Sequence, residues 1–439
     1  MKVFVVSLGC PKNRTDTEEV LAGLRSSFQN FTVTNDLDEA GLILVNTCAF
    51  IEEAVEESIE TILELAHHKK PHQLLMVMGC LYRRYEDALQ RELPEVDIFF
   101  GHRLTSSIVE RLTSHPVAPI ATHGERVLTT PPWRAYLKII EGCSRRCTYC
   151  LIPGIRGERK PRPPDVIMHE LEILEKKGVK EVTLVGQDLT SWSWNDQGIK
   201  DLLEAMDQRS RIPWIRPLYF HPAGVNTDLL KTVYEAHRIC NYLDIPIQHA
   251  SSRILKRMGR PYDTDYLKRL FSIIREDFPE ISLRTTVMVG FPGEKERDFQ
   301  ELMDLIEEIQ FDHLGCFIYS DEEEALSHKL GEKVPKKIAE ERRHQLLAFQ
   351  RTISRKRLAR WKGKCIPVLV EGLSRETELL LEGRSEFQAP EVDGVVYINQ
   401  GNANEGEFYL VEITEIHDYD LVGGITTPLV GQAVYNHER

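Results

Sequence analysis

Three times in its first eighty residues this sequence runs a short apolar segment into a cysteine. Lys2 to Leu8 leads to Cys10, Leu42 to Thr47 to Cys48, and Leu74 to Gly79 to Cys80. Helical patterns lie between and after them: Asp16 to Phe28, Glu52 to His68 and Arg83 to Arg91. Strand alternating with helix predicts a doubly wound parallel sheet. Ligands of such sheets gather beyond the carboxyl ends of the strands. The register therefore puts Cys10, Cys48 and Cys80 on one rim, as an iron–sulfur site one protein ligand short. The plainer alternative is three buried thiols near strand ends.

A second triple is local. Cys143, Cys147 and Cys150 stand at CxxxCxxC spacing after an apolar strand, Ala135 to Ile140, with Gly142, Arg145 and Arg146 around them. Most 4Fe–4S clusters take four thiolates, and a structural zinc site takes four Cys or His ligands. The next cysteine is Cys240. Three thiolates leave one iron open, and an open metal position is where a substrate or cofactor binds. Cys240, Cys316 and Cys365 are not grouped, and read as buried structural thiols. Nine cysteines without framework spacing argue for a reducing, cytoplasmic setting. No apolar run approaches the ~20 residues that span a bilayer, and Met1 to Val6 reads as a buried strand rather than a signal peptide.

The middle of the chain has six strand candidates: Tyr136–Ile140, Val182–Val185, Ile215–Phe220, Tyr242–Ile247, Leu283–Val289 and His313–Tyr319. Helical stretches at 165–177, 199–208, 227–236, 266–277 and 296–309 separate them. Six such units predict a partial (β/α)6 barrel, whose functional residues belong at the carboxyl ends of its strands. The CxxxCxxC loop falls there, as do Gly186-Gln187-Asp188, His221, Gln248-His249 and Gly290 to Glu294. Each has a mundane alternative, such as a strand-end cap, a satisfied imidazole or a tight turn. Their shared position is what groups them.

From Lys362 on, short alternating runs, Ile366–Glu371, Val395–Ile398 and Phe408–Ile413, read as a small antiparallel β-barrel. This segment carries five Lys and Arg against fourteen Asp and Glu, most of the chain's net −13. Such a module repels RNA phosphates and suits a basic protein surface, or is simply solvated. The stretch before it, Lys336 to Lys362, has ten Lys and Arg against Glu340 and Glu341. Its apolar positions Ile338, Leu346, Phe349, Ile353 and Leu358 predict one helix face packed on the barrel, with a basic face in solvent or near phosphate.

Several motifs carry a resemblance: Gly9-Cys10-Pro11-Lys12-Asn13, Asn46-Thr47-Cys48, Gly79-Cys80, the Glu141-Gly142-Cys143 loop with Pro153 and Arg156-Gly157, and Val289-Gly290-Phe291-Pro292-Gly293-Glu294. Together they resemble the radical S-adenosylmethionine (SAM) methylthiotransferases along nearly the whole chain. The resemblance implies three domains: 1–125 with an auxiliary cluster, 130–361 as a radical SAM barrel, and 362–431 as a TRAM-like barrel. It also implies two 4Fe–4S clusters and SAM. Cys143, Cys147 and Cys150 would hold the catalytic cluster, whose open iron binds SAM and whose electron yields a 5′-deoxyadenosyl radical. Cys10, Cys48 and Cys80 would hold the cluster that delivers sulfur. Tyr149, Gly186, Gln187, Gln248 and Gly290 are the candidates for the SAM pocket.

Two branches of that family compete. Gly-Cys-Pro-Lys-Asn, Pro246 to Ser251, Ala389 to Gly394 and Tyr419 to Gly423 look like the branch that modifies the β-carbon of an aspartate. That aspartate belongs to the small-subunit ribosomal protein at the decoding centre. The other branch modifies transfer-RNA adenosine. Arg14-Thr15 and Thr285-Thr286 depart from the first branch's usual residues. A non-catalytic iron–sulfur protein that binds ribosomes is the third alternative. The implied partners are the basic ribosomal protein or the ribosome, an electron donor such as flavodoxin or ferredoxin, and no membrane.

Overall fold

The computed structural model describes residues 1–101, 108, 110–112 and 125–429. The expected end of the third domain, 431, and much of the stretch leading to the first boundary at 125 lie outside the described residues. The N-terminal unit is a five-stranded, wholly parallel sheet: β1 (Lys2–Ser7), β2 (Thr32–Thr34), β3 (Leu42–Thr47), β4 (Leu74–Gly79) and β5 (Ile98–Phe100). Their spatial order is β2-β1-β3-β4-β5. The three anticipated strands are its centre. β3 is buried along its whole length because helices cover both faces. The two edge strands, three residues each, were too short to show an alternating pattern.

The middle unit lays six parallel strands in sequence order: β6 (Arg134–Lys138), β7 (Glu181–Val185), β8 (Trp214–Pro217), β9 (Tyr242–Asp244), β10 (Ser282–Val289) and β11 (His313–Ile318). They form two three-stranded sheets bridged at Ile215 and Ile239, a partial barrel. Its core is the largest apolar cluster of the molecule. Four strands stop before their anticipated ends, β6 at Lys138 and β11 at Ile318 by a residue or two, β8 and β9 by more. β8 ends at Pro217, and Tyr219 adopts φ 63°; β9 ends at Asp244, and Gln248 adopts φ 69°. Left-handed backbone cannot continue a strand, so these segments peel away into the barrel mouth.

The third unit is a closed five-stranded barrel: β12 (Cys365–Leu373), β13 (Leu381–Arg384), β14 (Val396–Gln400), β15 (Phe408–Ile416) and β16 (Leu421–Leu429). Every pairing is antiparallel except β14 with β16, which is parallel. Cys365 is exposed, against the expectation of a buried thiol. It sits one residue before buried Ile366, so the alternation of the strand turns it outward.

The helix Lys336–Leu358 packs on β11 and the neighbouring helix, with Leu346, Ile353 and Leu358 buried as expected. Ile338 is exposed, and Arg342, Gln350 and Ser354 are buried in its place. Part of the segment's basic character is spent on pairs within the protein, while Lys336, Lys337, Arg343, Arg351, Arg355 and Lys356 stay exposed. Arg342 pairs with Glu294 and Glu296, while Arg357 and Arg360 both hold Asp312. No helix of the described residues is long and apolar enough to cross a membrane.

Candidate active site

The rim of the N-terminal sheet is held together by one side chain. Asn13 donates through Nδ2 to the carbonyls of Leu8 (3.0 Å) and Thr47 (2.9 Å), and its Oδ1 faces the Cys80 thiol at 3.7 Å. It therefore ties the exits of β1, β3 and β4, which carry Cys10, Cys48 and Cys80. Two glycines let the rim close. A Cβ on Gly9 (φ 82°) would lie 2.7 Å from Cys48 Cβ, and one on Gly79 (φ 108°) would lie 2.3 Å from Asn46 Oδ1.

The barrel completes this rim. Arg156, from the short helix Ile152–Arg156, donates to Asn13 Oδ1 and to Asp16 Oδ2 (3.0 Å) through one nitrogen and to Glu141 (2.8 Å) through another. Lys138 of β6 closes the ring by pairing with Asp16 and Glu141. This alternating ring accounts for the burial of Asn13 and Asp16 on the helix Pro11–Ser27, and Arg126 and Thr129 do the same for Glu18. Burial pushes the Cys10 thiol up, but Lys12 and Arg156 outweigh it and the net shift is downward. Burial pushes the Cys80 thiol up to about 12 despite Arg156.

The CxxxCxxC loop is built from its own backbone. Ile140–Glu141 pairs with Lys160–Pro161 and pinches its base. Cys143 N–H donates to the Gly157 carbonyl (3.1 Å), Thr148 N–H to Met258 (3.0 Å), and Ser327 N–H to Thr148 (2.8 Å). Arg145 anchors to Asp188 at 2.9 Å. Burial pushes the Cys150 thiol up to about 12.

Among the described residues no three Cys, His, Asp or Glu side chains converge as they must on a single ion. A four-iron cluster asks for less convergence, because each thiolate takes a different iron. The donor set of each triad, three thiols in one locality with cations alongside and no fourth ligand, fits such a group. Since Cys80 and Cys150 hold their protons this tightly, loading a metal there must release them.

A cleft of about 530 Å³ has walls from all three units. Gly9 and Pro11 come from the first, Gln187, His221, Gln248 and Arg260 from the second, and Pro390, Glu391 and Val392 from the third. Three of its lining residues, Tyr219, Gln248 and Glu391, have φ between 63° and 70°. Backbone held in that region by non-glycine residues concentrates at ligand sites. Glu391 accepts from Arg134 (2.8 Å), Arg14 (3.1 Å) and the Tyr136 hydroxyl (3.2 Å), fastening the third unit's loop to the other two.

The cleft wall carries unspent hydrogen-bonding capacity. Both amide atoms of Gln187 are buried without a partner, as is His221 Nε2. His221 Nδ1 accepts from the Ala223 N–H, and burial, with Arg260 and Arg145 near, lowers its pKa to about 2. The ring is thus neutral and its free proton is on Nε2. An amide and an N–H donor left open in a cleft fit the polar edges of a ligand such as SAM.

Of the expected pocket residues, Gln187 and Gln248 line this cleft. Tyr149 stands behind it, its hydroxyl accepting from Arg260 at 2.6 Å and its ring against Phe291. Gly186 precedes cleft-lining Gln187 but does not line the cleft itself; its carbonyl accepts from Lys12. Gly290 does not line it: it lies under Ala339, and its N–H donates to Glu294 in a tight turn. Arg260, Tyr219, Glu391 and the organising roles of Asn13 and Arg156 were not anticipated. No local spacing marks them, because each acts on partners far away in sequence.

Residues 2–101 match Uncharacterized protein family UPF0004, 137–306 the Radical SAM superfamily and 363–425 the TRAM domain. A protein of Geobacter sulfurreducens named ribosomal protein uS12 methylthiotransferase RimO is 43% identical over 97% of this chain and 98% of its own length. The protein of that name from Aquifex aeolicus is 42% identical over 98% of each. Among solved structures, the radical SAM methyltransferase TsrM from Kitasatospora setae has cobalamin and a 4Fe–4S cluster bound. It superposes with TM-score 0.53 at 16% identity, over 72% of this chain and 74% of that one, a likeness of fold.

Proposed function

This chain belongs to the RimO family of ribosomal protein uS12 methylthiotransferases, and we propose that its three-walled cleft is where the uS12 aspartate receives its methylthio group. The observation that carries this reading is the cleft's lining: Gly9 and Pro11 flank Cys10, and Arg260 donates to Tyr149 of the Cys143/Cys147/Cys150 loop. In this reading both triads hold 4Fe–4S clusters and Gln187, Gln248 and His221 help bind SAM. Residues 1–125, 130–361 and 362–431 divide the labour as three domains.

When bound, the clusters and SAM supply one-electron chemistry that activates an unactivated C–H bond. A side-chain base of pKa about 7 cannot take so weakly acidic a proton. The chain's own contribution is position and dryness. The neutral His221 and the Gln187 amide orient polar groups without adding charge. Glu391 and its three donors close the outer wall against water. Arg145 and Arg260 hold the loop triad's surroundings cationic, which suits a thiolate cluster.

The third unit favours a protein substrate over RNA. Glu376 and Glu378 are exposed on its acidic surface, which attracts a basic protein and repels phosphate. The work would proceed in the cytoplasm with a low-potential electron donor such as flavodoxin or ferredoxin. The test is to incubate anaerobically reconstituted protein, SAM, sulfide and reductant with a peptide bearing the uS12 aspartate, and separately with unmodified transfer RNA. One methylthio group is expected on the peptide and none on the RNA. The reverse result overturns the proposal.

A further inference from the structure

Eight Lys and Arg residues are buried among the described residues. Seven of them pair with a carboxylate, Arg156, Arg216, Arg342 and Arg384 among them. That is the rule for buried charge, because a cation taken from water without a counter-ion loses its hydration uncompensated. Lys12 is the exception. It is 8% exposed. Its ammonium donates to the Gly186 carbonyl at 3.2 Å and stands 4.4 Å from the centre of the Tyr219 ring. Both partners are neutral, and no carboxylate of the described residues is within ion-pair distance.

The surroundings say where its missing anion comes from. Lys12 follows cleft-lining Gly9 and Pro11, and Tyr219, whose left-handed backbone turns its ring onto the ammonium, lines the same cleft. Gly186 precedes Gln187 at the exit of β7. The ammonium therefore sits where the N-terminal rim meets the barrel mouth, beside the cleft. Arg156, the other cation near Cys10, already carries Asp16 and Glu141. Lys12 bears on the Cys10 thiol but on no carboxylate, and it stands beside the cleft where the substrate residue would lie.

We propose that Lys12 is the counter-ion of the substrate's carboxylate, pairing with the side chain of the aspartate being modified and so fixing its β-carbon in the cleft. The inference rests on the functional reading above and deepens it, by naming what selects an acidic residue. The carboxyl group is bonded to the carbon that reacts, so gripping it positions that carbon with one intervening bond. Asparagine, of nearly the same shape, offers no charge to the ammonium and leaves it buried and unpaired.

The test compares affinities of the reconstituted protein for the uS12 loop peptide and for its Asp→Asn form, by fluorescence anisotropy, in wild type, Lys12→Met and Lys12→Arg. Wild type is expected to bind the aspartate peptide roughly thirtyfold or more tighter, the scale of a truncated buried charge pair. In Lys12→Met that preference collapses to within about threefold, and Lys12→Arg restores part of it. A wild type that binds both peptides equally overturns the proposal whatever the variants do. So does a Lys12→Met protein that keeps the full preference, including one that has lost iron, which would make Lys12 a counter-ion of the Cys10 centre instead. If wild type neither binds nor modifies the aspartate peptide, the functional reading itself has failed.

Discussion

The two thiol triads are built by opposite means. Cys143, Cys147 and Cys150 lie within eight residues, and main-chain bonds to Gly157, Met258 and Ser327 shape their loop. Cys10, Cys48 and Cys80 come from three strand exits spread over seventy residues, gathered by the side chains of Asn13 and Arg156. The first is a property of one segment. The second is a property of a seam, since Arg156 belongs to the barrel while the cysteines belong to the sheet. A local motif withstands changes elsewhere, whereas a seam-built site shares the fate of the seam.

The largest expected effects separate the triads chemically. Cys147→Ala should abolish both SAM cleavage and methylthio transfer. Cys48→Ala should abolish transfer, while cleavage stays above background. Each should lower bound iron by about half. Quantifying 5′-deoxyadenosine, modified peptide and iron on the same preparations checks this. Transfer surviving in Cys48→Ala would remove the strand-exit triad from the reaction.

The next effect strikes the seam. Arg156→Met leaves Asp16 and Glu141 buried with Lys138 as their remaining cation. Breaking a buried network from one side costs about 3–5 kcal/mol. Iron should be lost from the Cys10 triad, with the Cys143 loop still loaded. Urea unfolding and iron content of Arg156→Met in a Cys48→Ala background test it: there the second substitution should remove little further iron. If both triads empty together, the contrast drawn between them is wrong.

The same contrast decides what the sequence could reveal. The loop triad was legible because its ligands share one segment, and the strand-exit triad because three strands ended alike. The six barrel strands and the long helices carried clear periodicity. Asn13 and Arg156 were visible only as members of motifs, since their work is contact across units. The unanticipated exposure of Cys365 and the burial of Arg342 have one cause. Residue type sets an average burial, and the packed neighbours decide each case. Gly290 read as a cleft residue from its place at a strand end, yet Ala339 of the long helix covers it.

The smallest of these effects tests whether the other seam behaves like the first. Glu181, wholly buried at the start of β7, binds Arg216 (2.7 Å) and Arg384 (2.5 Å), and so joins the central barrel to the acidic one. Burial alone would raise its pKa, but Arg384 and Arg216 hold it down to about 2 from an ordinary 4.5. A depressed carboxylate contributes its stability fully above the unfolded pKa and loses it as the pH falls through the folded one. The shift corresponds to about 3 kcal/mol, present above pH 4.5 and lost as the pH falls toward 2. Glu181→Gln should therefore be less stable than wild type at neutral pH, with the gap narrowing through that window. Iron at both triads should survive at neutral pH, because neither triad draws a ligand or an organising side chain from this joint. Chemical denaturation at stepped pH, with iron measured at pH 7, checks both. Should Glu181→Gln shed the iron of the Cys10 triad as Arg156→Met does, dependence on a seam would be a property of the whole molecule and not of that site.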